Sequence, residues 1–271
     1  MKTSKRLDLL VLFLWTAAAA NLVACSADSP ANPSFSLTVA AARAELKQME
    51  ESPLPASRPI VIVGGYADPG IIVKQLEKRL RAVLVPGAQI MVVAPGWTAT
   101  MDDARRKLLD AVEAEFVSTD PEWTAEVDVV AISMGGLVSR YAAMPGEDSR
   151  RRLRIARLIT ISTPHRGADW AQMPTVEDRV VDMRADSAFL CTLDGAEHCY
   201  EVLPYCRLDD WIVGEENAAP PGRTAWWVAN QPFQLGHIDA HKDPRILADI
   251  ARRLRGEDAY TTLPATDLPH P

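Results

Sequence analysis

The sequence has 271 residues, 48% of them hydrophobic and 24% charged, with a formal net charge of −7. This length and composition suit one large folded domain with a substantial core and exclude a disordered or collagen-like chain. The acidic balance argues against nucleic acid as a partner.

At the start of the chain, Lys2, Lys5 and Arg6 precede an apolar run from Leu9 to Ala20. The run has signal-peptide length and is too short to span a bilayer comfortably. Leu22-Val-Ala-Cys25 follows and resembles the cleavage box of bacterial lipoproteins. That resemblance implies removal of residues 1–24 and lipidation of Cys25. Ser26, where such proteins otherwise carry an aspartate, then points to the outer membrane. Each buried methylene of such an anchor adds about 0.8 kcal/mol. Cleavage removes three basic residues and one acid, which leaves 247 residues and a net charge of −9. Residues 25–58 are rich in Pro, Ser and Ala, apart from a helix expected over Val39 to Met49, and read as a tether with a surface helix.

Strand and helix patterns alternate from Pro59 onward. Pro59 to Val63 is a buried strand that ends in Gly64-Gly65-Tyr66. Gly70 to Arg81 reads as a helix with Ile72, Val73, Leu76 and Leu80 on one face. Gln89 to Val93 is a strand, and Asp102 to Val117 an amphipathic helix. Val127 to Ile132 is a strand ending at Ser133, and Gly135 to Ala143 is the helix after it. Arg157 to Ile161 is the next strand; the basic run Arg150, Arg151, Arg152, Arg154 and Arg157 reads as a solvated loop leading into it rather than an anion site. Residues 167–200 lack a clean period and read as an insertion over the site. Val202 to Cys206 and Ala225 to Val228 are the last strands, and Pro244 to Leu254 the closing helix. The expected fold class is therefore α/β: a mainly parallel sheet with helices on both faces and a short lid-like insertion. The catalytic domain is expected over residues 59–256, with 257–271 as a loose tail.

The chemistry centres on Val127-Asp-Val-Val-Ala-Ile-Ser133-Met-Gly-Gly-Leu-Val138. A strand, a tight turn and a helix with serine at the apex lift a hydroxyl out of the sheet. A serine hydroxyl is a poor nucleophile without a base, and the base needs an orienting acid. Among His165, His198, His237, His241 and His270, the one after Gly236 follows the last strand and is the expected base, His237. His241 reads as a surface or supporting residue. The acid falls between serine and histidine at Asp210, with Asp209 as the alternative; the apolar Trp211-Ile-Val213 after it would anchor that loop. Backbone N–H groups of Met134 and of Tyr66, after Gly64-Gly65, are the expected oxyanion donors.

With these residues in place, the chain resembles an α/β-hydrolase and, more narrowly, a bacterial triacylglycerol lipase or esterase, over about Pro59 to Leu254. Ser133-Met-Gly-Gly-Leu-Val matches the serine elbow. Leu158-Ile-Thr-Ile-Ser-Thr-Pro-His-Arg-Gly167 resembles the segment after the next strand, where His165 is not catalytic. Gly236-His237-Ile238 resembles the histidine turn. Ala131 stands where most members have Gly, and Gly64-Gly65-Tyr66 where many have His-Gly. The resemblance implies a serine ester hydrolase with a Ser133–His237–Asp210 triad, no metal and no organic cofactor, acting as a monomer on a small-molecule or lipid ester. Acyl transfer or amide cleavage on the same triad, or a non-catalytic envelope protein on this scaffold, are the other readings. An exported protein keeps disulfides, so Cys191 and Cys199, which flank a short polar loop, are a candidate pair. Cys199–Cys206 is the alternative, and Cys206 otherwise a buried thiol. Cys191, His198 and Cys199 lack a fourth ligand at zinc spacing.

Overall fold

The structure is a computed structural model that describes residues 30–146 and 150–269. The leader 1–24 and Cys25 lie outside the described residues. Along the chain run α1 (Val39–Glu51), β1 (Ile60–Val63), α2 (Ile71–Val83), β2 (Ile90–Val93), α3 (Met101–Glu115) and β3 (Val127–Ile132). They are followed by α4 (Met134–Ala142), β4 (Ile155–Ile161), α5 (Asp178–Asp182), α6 (Ala188–Gly195), β5 (Glu201–Arg207), β6 (Trp226–Val228) and α7 (Pro244–Arg255). Among the described residues the six strands form one sheet in the order β2-β1-β3-β4-β5-β6. Every neighbouring pair is parallel.

The period of two in each strand sends alternate side chains to opposite layers. From β3, Val127, Val129 and Ala131 pack with Leu108 of α3 and Leu137 of α4. Val130 and Ile132 pack on the other side with Leu76 of α2 and Ile250 of α7. Both sheet faces are therefore apolar, as a parallel sheet covered on two sides requires.

Local chemistry sets the helix ends. Thr100 and Asp103 cap α3 reciprocally, each side chain bonding the other's backbone N–H. The Asp243 carboxylate accepts from Arg245 N–H at the start of α7, with Pro244 in the first turn, and Gly256 closes the helix in the left-handed region. Ile246, Leu247, Ile250, Ala251 and Leu254 form its buried stripe, and each large one stabilises the fold by about 2 kcal/mol.

Four expectations are corrected. Residues 30–36 are not a free tether: Asn32 Nδ2 donates to Trp227 O at 2.7 Å and Phe35 is buried against Tyr205. Nor is the tail after Glu257 loose. Trp226 Nε1 donates to Thr262 O at 2.8 Å, and Thr261 N–H and Oγ1 both bond the buried Asp249 carboxylate. The basic run is more than a solvated loop: Arg152 lies 3.8 Å over the Trp123 ring, and Arg157 makes a two-pronged bond to buried Asp128. Cys191 and Cys199 are free and exposed, and Cys206 is free and buried. The physical reason is that Cys191 rides on α6 with its thiol turned back toward Asp186 O at 3.8 Å, so the segment between the two cysteines is a helix end rather than a stapled loop.

The insertion is built into the fold. Ala171, Val180, Met183, Leu190 and Leu193 join the same apolar cluster as Met134 and Leu137. It therefore packs on the layer that holds α4, beyond the carboxyl ends of β3 and β4.

Candidate active site

Ser133 occupies the turn between β3 and α4 at φ 52°, ψ −130°. A non-glycine residue in that region costs about 1–3 kcal/mol and persists only where the surroundings over-determine it. Here Ser133 N–H donates to Ile161 O at 2.9 Å, and Thr163 Oγ1 donates to Ser133 O at 2.8 Å. The turn also needs closeness: a Cβ on Gly135 would lie 2.5 Å from Val63 O. Ala131, where the resemblance expects glycine, is fully buried in β3 and its methyl group is accommodated in the core.

His237 lies on the loop between β6 and α7. Its Nδ1 lies 2.9 Å from Asp210 Oδ2 and its Nε2 lies 3.2 Å from Ser133 Oγ. With Nδ1–H donating to the carboxylate, Nε2 is left to accept the serine hydroxyl proton. Asp210 is 1% exposed and also accepts from Ile212 and Val213 N–H at 3.2 and 3.0 Å. Burial by itself raises its carboxyl. The positive field and hydrogen bond of His237, the Val213 N–H and the neighbouring Ser162 hydroxyl outweigh that and hold it below the ordinary aspartate value.

Asp209, the alternative acid, is exposed at φ 61° and makes no bond to His237. His241, read as a surface or supporting residue, is not at the surface: it is 2% exposed, with Nε2 3.3 Å from Gln75 Oε1. Burial first, then Lys242, pushes its imidazole down to about 4, so it is neutral. His165 is fully buried between Arg140 Nη1 and Thr160 Oγ1. His198 is exposed and stacks on Tyr200.

The two expected oxyanion donors flank the serine. Met134 is the first residue of α4, where the helix leaves its N–H groups unpaired and its dipole positive. Among the described residues neither the Met134 nor the Tyr66 N–H donates to a protein oxygen. A network pins Tyr66 from its side chain. The phenol donates to Glu177 Oε2 at 2.5 Å, the ring packs on Trp170, and the Arg179 guanidinium lies 4.9 Å from its centre. Arg179 in turn bonds Glu177 and donates to Gly96 O at 2.8 Å. Burial and then Glu177 push the phenol up to about 12, so it stays a neutral donor. Glu177 and Arg179 carry no signal in the sequence, because they lie in the aperiodic insertion and reach Tyr66 only through the fold. Among the described residues no cluster of His, Cys, Asp or Glu is arranged to hold a metal ion.

Several exposed apolar side chains lie on segments that follow the strands or flank His237. Trp97 follows β2, Met173 and Val176 follow β4, Trp211 follows β5, and Phe233 and Ile238 flank His237; all are exposed. A hydroxyl with a base, an acid and two free N–H groups is a constellation capable of acyl-transfer chemistry.

No family model and no curated protein matches the sequence. Among solved structures it is similar to Aspergillus fumigatus lipase B at 15% identity, over 87% of this chain and 62% of that one, with a TM-score of 0.50. It is similar to phospholipase PlaB from Legionella pneumophila at 12% identity, over 72% of this chain and 57% of that one, with a TM-score of 0.49. A mouse alpha/beta hydrolase domain-containing protein 10 matches at 14% identity, over 74% and 90% of the two chains, with a TM-score of 0.42. The chain spans less than two thirds of the fungal and Legionella proteins. The fold is that of the α/β-hydrolases.

Proposed function

We propose that this α/β-hydrolase-fold protein is a serine carboxylic-ester hydrolase working through an acyl-serine intermediate. The observation that carries the reading is the unbroken hydrogen-bonded line from Ser133 Oγ through His237 to buried Asp210, with the serine on a strained turn. The Ser133 oxygen attacks the ester carbonyl carbon while His237 Nε2 takes its proton. Met134 and Tyr66 N–H groups stabilise the oxyanion; removing one such donor costs about 3–4 kcal/mol of barrier in comparable sites. His237 then returns the proton to the departing alcohol, leaving acyl-Ser133. Water, deprotonated by the same imidazole, cleaves the acyl-enzyme and releases the carboxylic acid. Asp210 holds the imidazole in the required tautomer and stabilises the imidazolium. Exposed Trp211 and Ile238, next in sequence to Asp210 and His237, support an acyl group of apolar character.

The test is labelling of the purified protein with a fluorophosphonate, mapped by peptide mass spectrometry, together with turnover of p-nitrophenyl esters of increasing chain length. Modification of Ser133 with ester turnover is expected. Absence of both would leave the scaffold without this chemistry.

Membrane anchoring through Cys25 is part of the same proposal. Its support is the ordered combination of Lys2, Lys5, Arg6, the apolar run and Leu22-Val-Ala-Cys25. Cys25→Ser is expected to abolish incorporation of labelled palmitate; unchanged labelling removes the anchor.

A further inference from the structure

Away from Ser133, a groove of about 410 Å³ opens between α1, α2 and the β6–α7 loop. Four cations face it from three separate elements: Arg43 and Lys47 from α1, Arg79 from α2, and Lys242 from the loop. Glu50 is the single acid of the lining, and Gln231 and Gln234 add two side-chain amides. A net positive lining of this kind stands out in a protein whose formal net charge is −7.

Internal pairing accounts for the two lysines at most and leaves the two arginines. Lys242 bonds Asp239 at 2.9 Å, and Lys47 lies 3.9 Å from Glu51 in an exposed pair that contributes little. Arg43 and Arg79 are ion-paired with no carboxylate among the described residues. The two unpaired guanidiniums leave an excess of positive charge at the concavity, and an anion in the groove balances it.

We propose that this groove binds a phosphate ester. Two guanidinium forks suit the paired oxygens of a phosphate, and Lys47 and Gln234 supply further donors, while Lys242 and Gln231 are held by Asp239 and Asp243. The groove has room for a phosphate that carries an organic group. A crevice of only about 40 Å³ lies next to the groove, floored by Leu80, Val83, Leu247 and Ala251 and sharing Leu46, Glu50 and Arg79 with it, so it offers the ligand an apolar contact at its mouth rather than a second chamber. A phosphate ester with a short apolar portion satisfies both. The same chemistry comes from a soluble phosphoester or from a lipid headgroup.

The test measures binding, not ester hydrolysis. Glycerol phosphate is titrated into the purified full chain by calorimetry at low ionic strength. In a second arm, co-sedimentation with phosphatidylcholine vesicles is compared with and without phosphatidylglycerol. Saturable binding of glycerol phosphate identifies a soluble ligand; excess binding to the phosphatidylglycerol vesicles alone identifies a headgroup. In the responding arm, Arg43→Gln and Arg79→Gln are each expected to weaken binding about tenfold, the loss of one charge-assisted contact. Both residues are exposed on helices, and circular dichroism checks that the variants fold. Arg154→Gln, exposed at the opposite end of the sheet, leaves binding unchanged. Ser133→Ala binds like the parent, so the result stands apart from the fate of the hydrolase reading. No binding in either arm, or binding undiminished in both arginine variants, overturns the proposal.

Discussion

A Cβ placed on Gly65 would lie 2.9 Å from the Ser133 Cβ and 3.2 Å from Ile132 O. The loop after β1 and the turn after β3 therefore touch, and this contact sets the distance between Ser133 and the Tyr66 N–H. Gly65→Ala is expected to push the loop outward and lower kcat by about 10–100-fold, because an oxyanion donor displaced by a few tenths of an ångström loses much of its effect. Esterase kinetics with a matched thermal unfolding curve check it; a variant with normal kcat and normal stability contradicts the geometry.

Ser133→Ala is expected to lower ester turnover by about 10³–10⁶-fold with the fold retained. His237→Gln should do comparable damage. His241→Gln, which alters a residue bonded to Gln75 rather than to the serine, should leave kcat within a few-fold. Residual turnover near the parental level in His237→Gln would move the base elsewhere.

The choice between neighbouring acids is testable at one atom each. Asp210→Asn keeps the shape but offers an amide to His237 Nδ1, and is expected to cost about 10⁴ in kcat. Asp209→Asn should be nearly silent, since Asp209 is exposed and its positive φ suits asparagine. The prediction rests on comparing the two kcat values.

His241 makes stability depend on pH. Its folded value of about 4 lies below the ordinary 6.5, so between those values the unfolded chain binds a proton that the folded chain does not. Stability from this group is complete above about 6.5 and is lost as pH falls toward 4, on the order of 3 kcal/mol in all. Buried His165, also well below its ordinary value through burial and Arg140, acts in the same direction. Denaturant unfolding from pH 7 to 4 should show the decline. His241→Gln should flatten part of it.

Ending the chain at Gly256 should destabilise the domain by about 2–4 kcal/mol. The tail supplies the Tyr260 and Thr261 bonds to Asp249, whose side chain is fully buried, and leaving such a carboxylate short of donors is costly. It also accepts the indole N–H of Trp226 and Trp227. An unchanged unfolding midpoint for the truncated chain would mean that the tail only rests on the surface.

The element order, the parallel sheet and the serine turn were legible in the sequence. Val127-Asp-Val-Val-Ala-Ile-Ser133-Met-Gly-Gly carries its own strand period, close-packing glycines and helix start within ten residues, and such short-range signals need no partner to be read. Chain order likewise pointed to His237 and to an acid near 210. What the sequence could not decide are matters of contact. Asp209 and Asp210 look alike locally, and only the fold turns one toward a histidine 27 positions away and leaves the other in solvent. The tail and residues 30–36 lack periodicity and read as loose, yet they dock by single hydrogen bonds to Trp226, Trp227 and Asp249 that no local pattern encodes. Cys191 and Cys199 are close in sequence but separated by the end of α6. Periodicity records what a segment does by itself; which side chains meet depends on the packing of distant segments, and that is settled only when the sheet and its two helical layers come together.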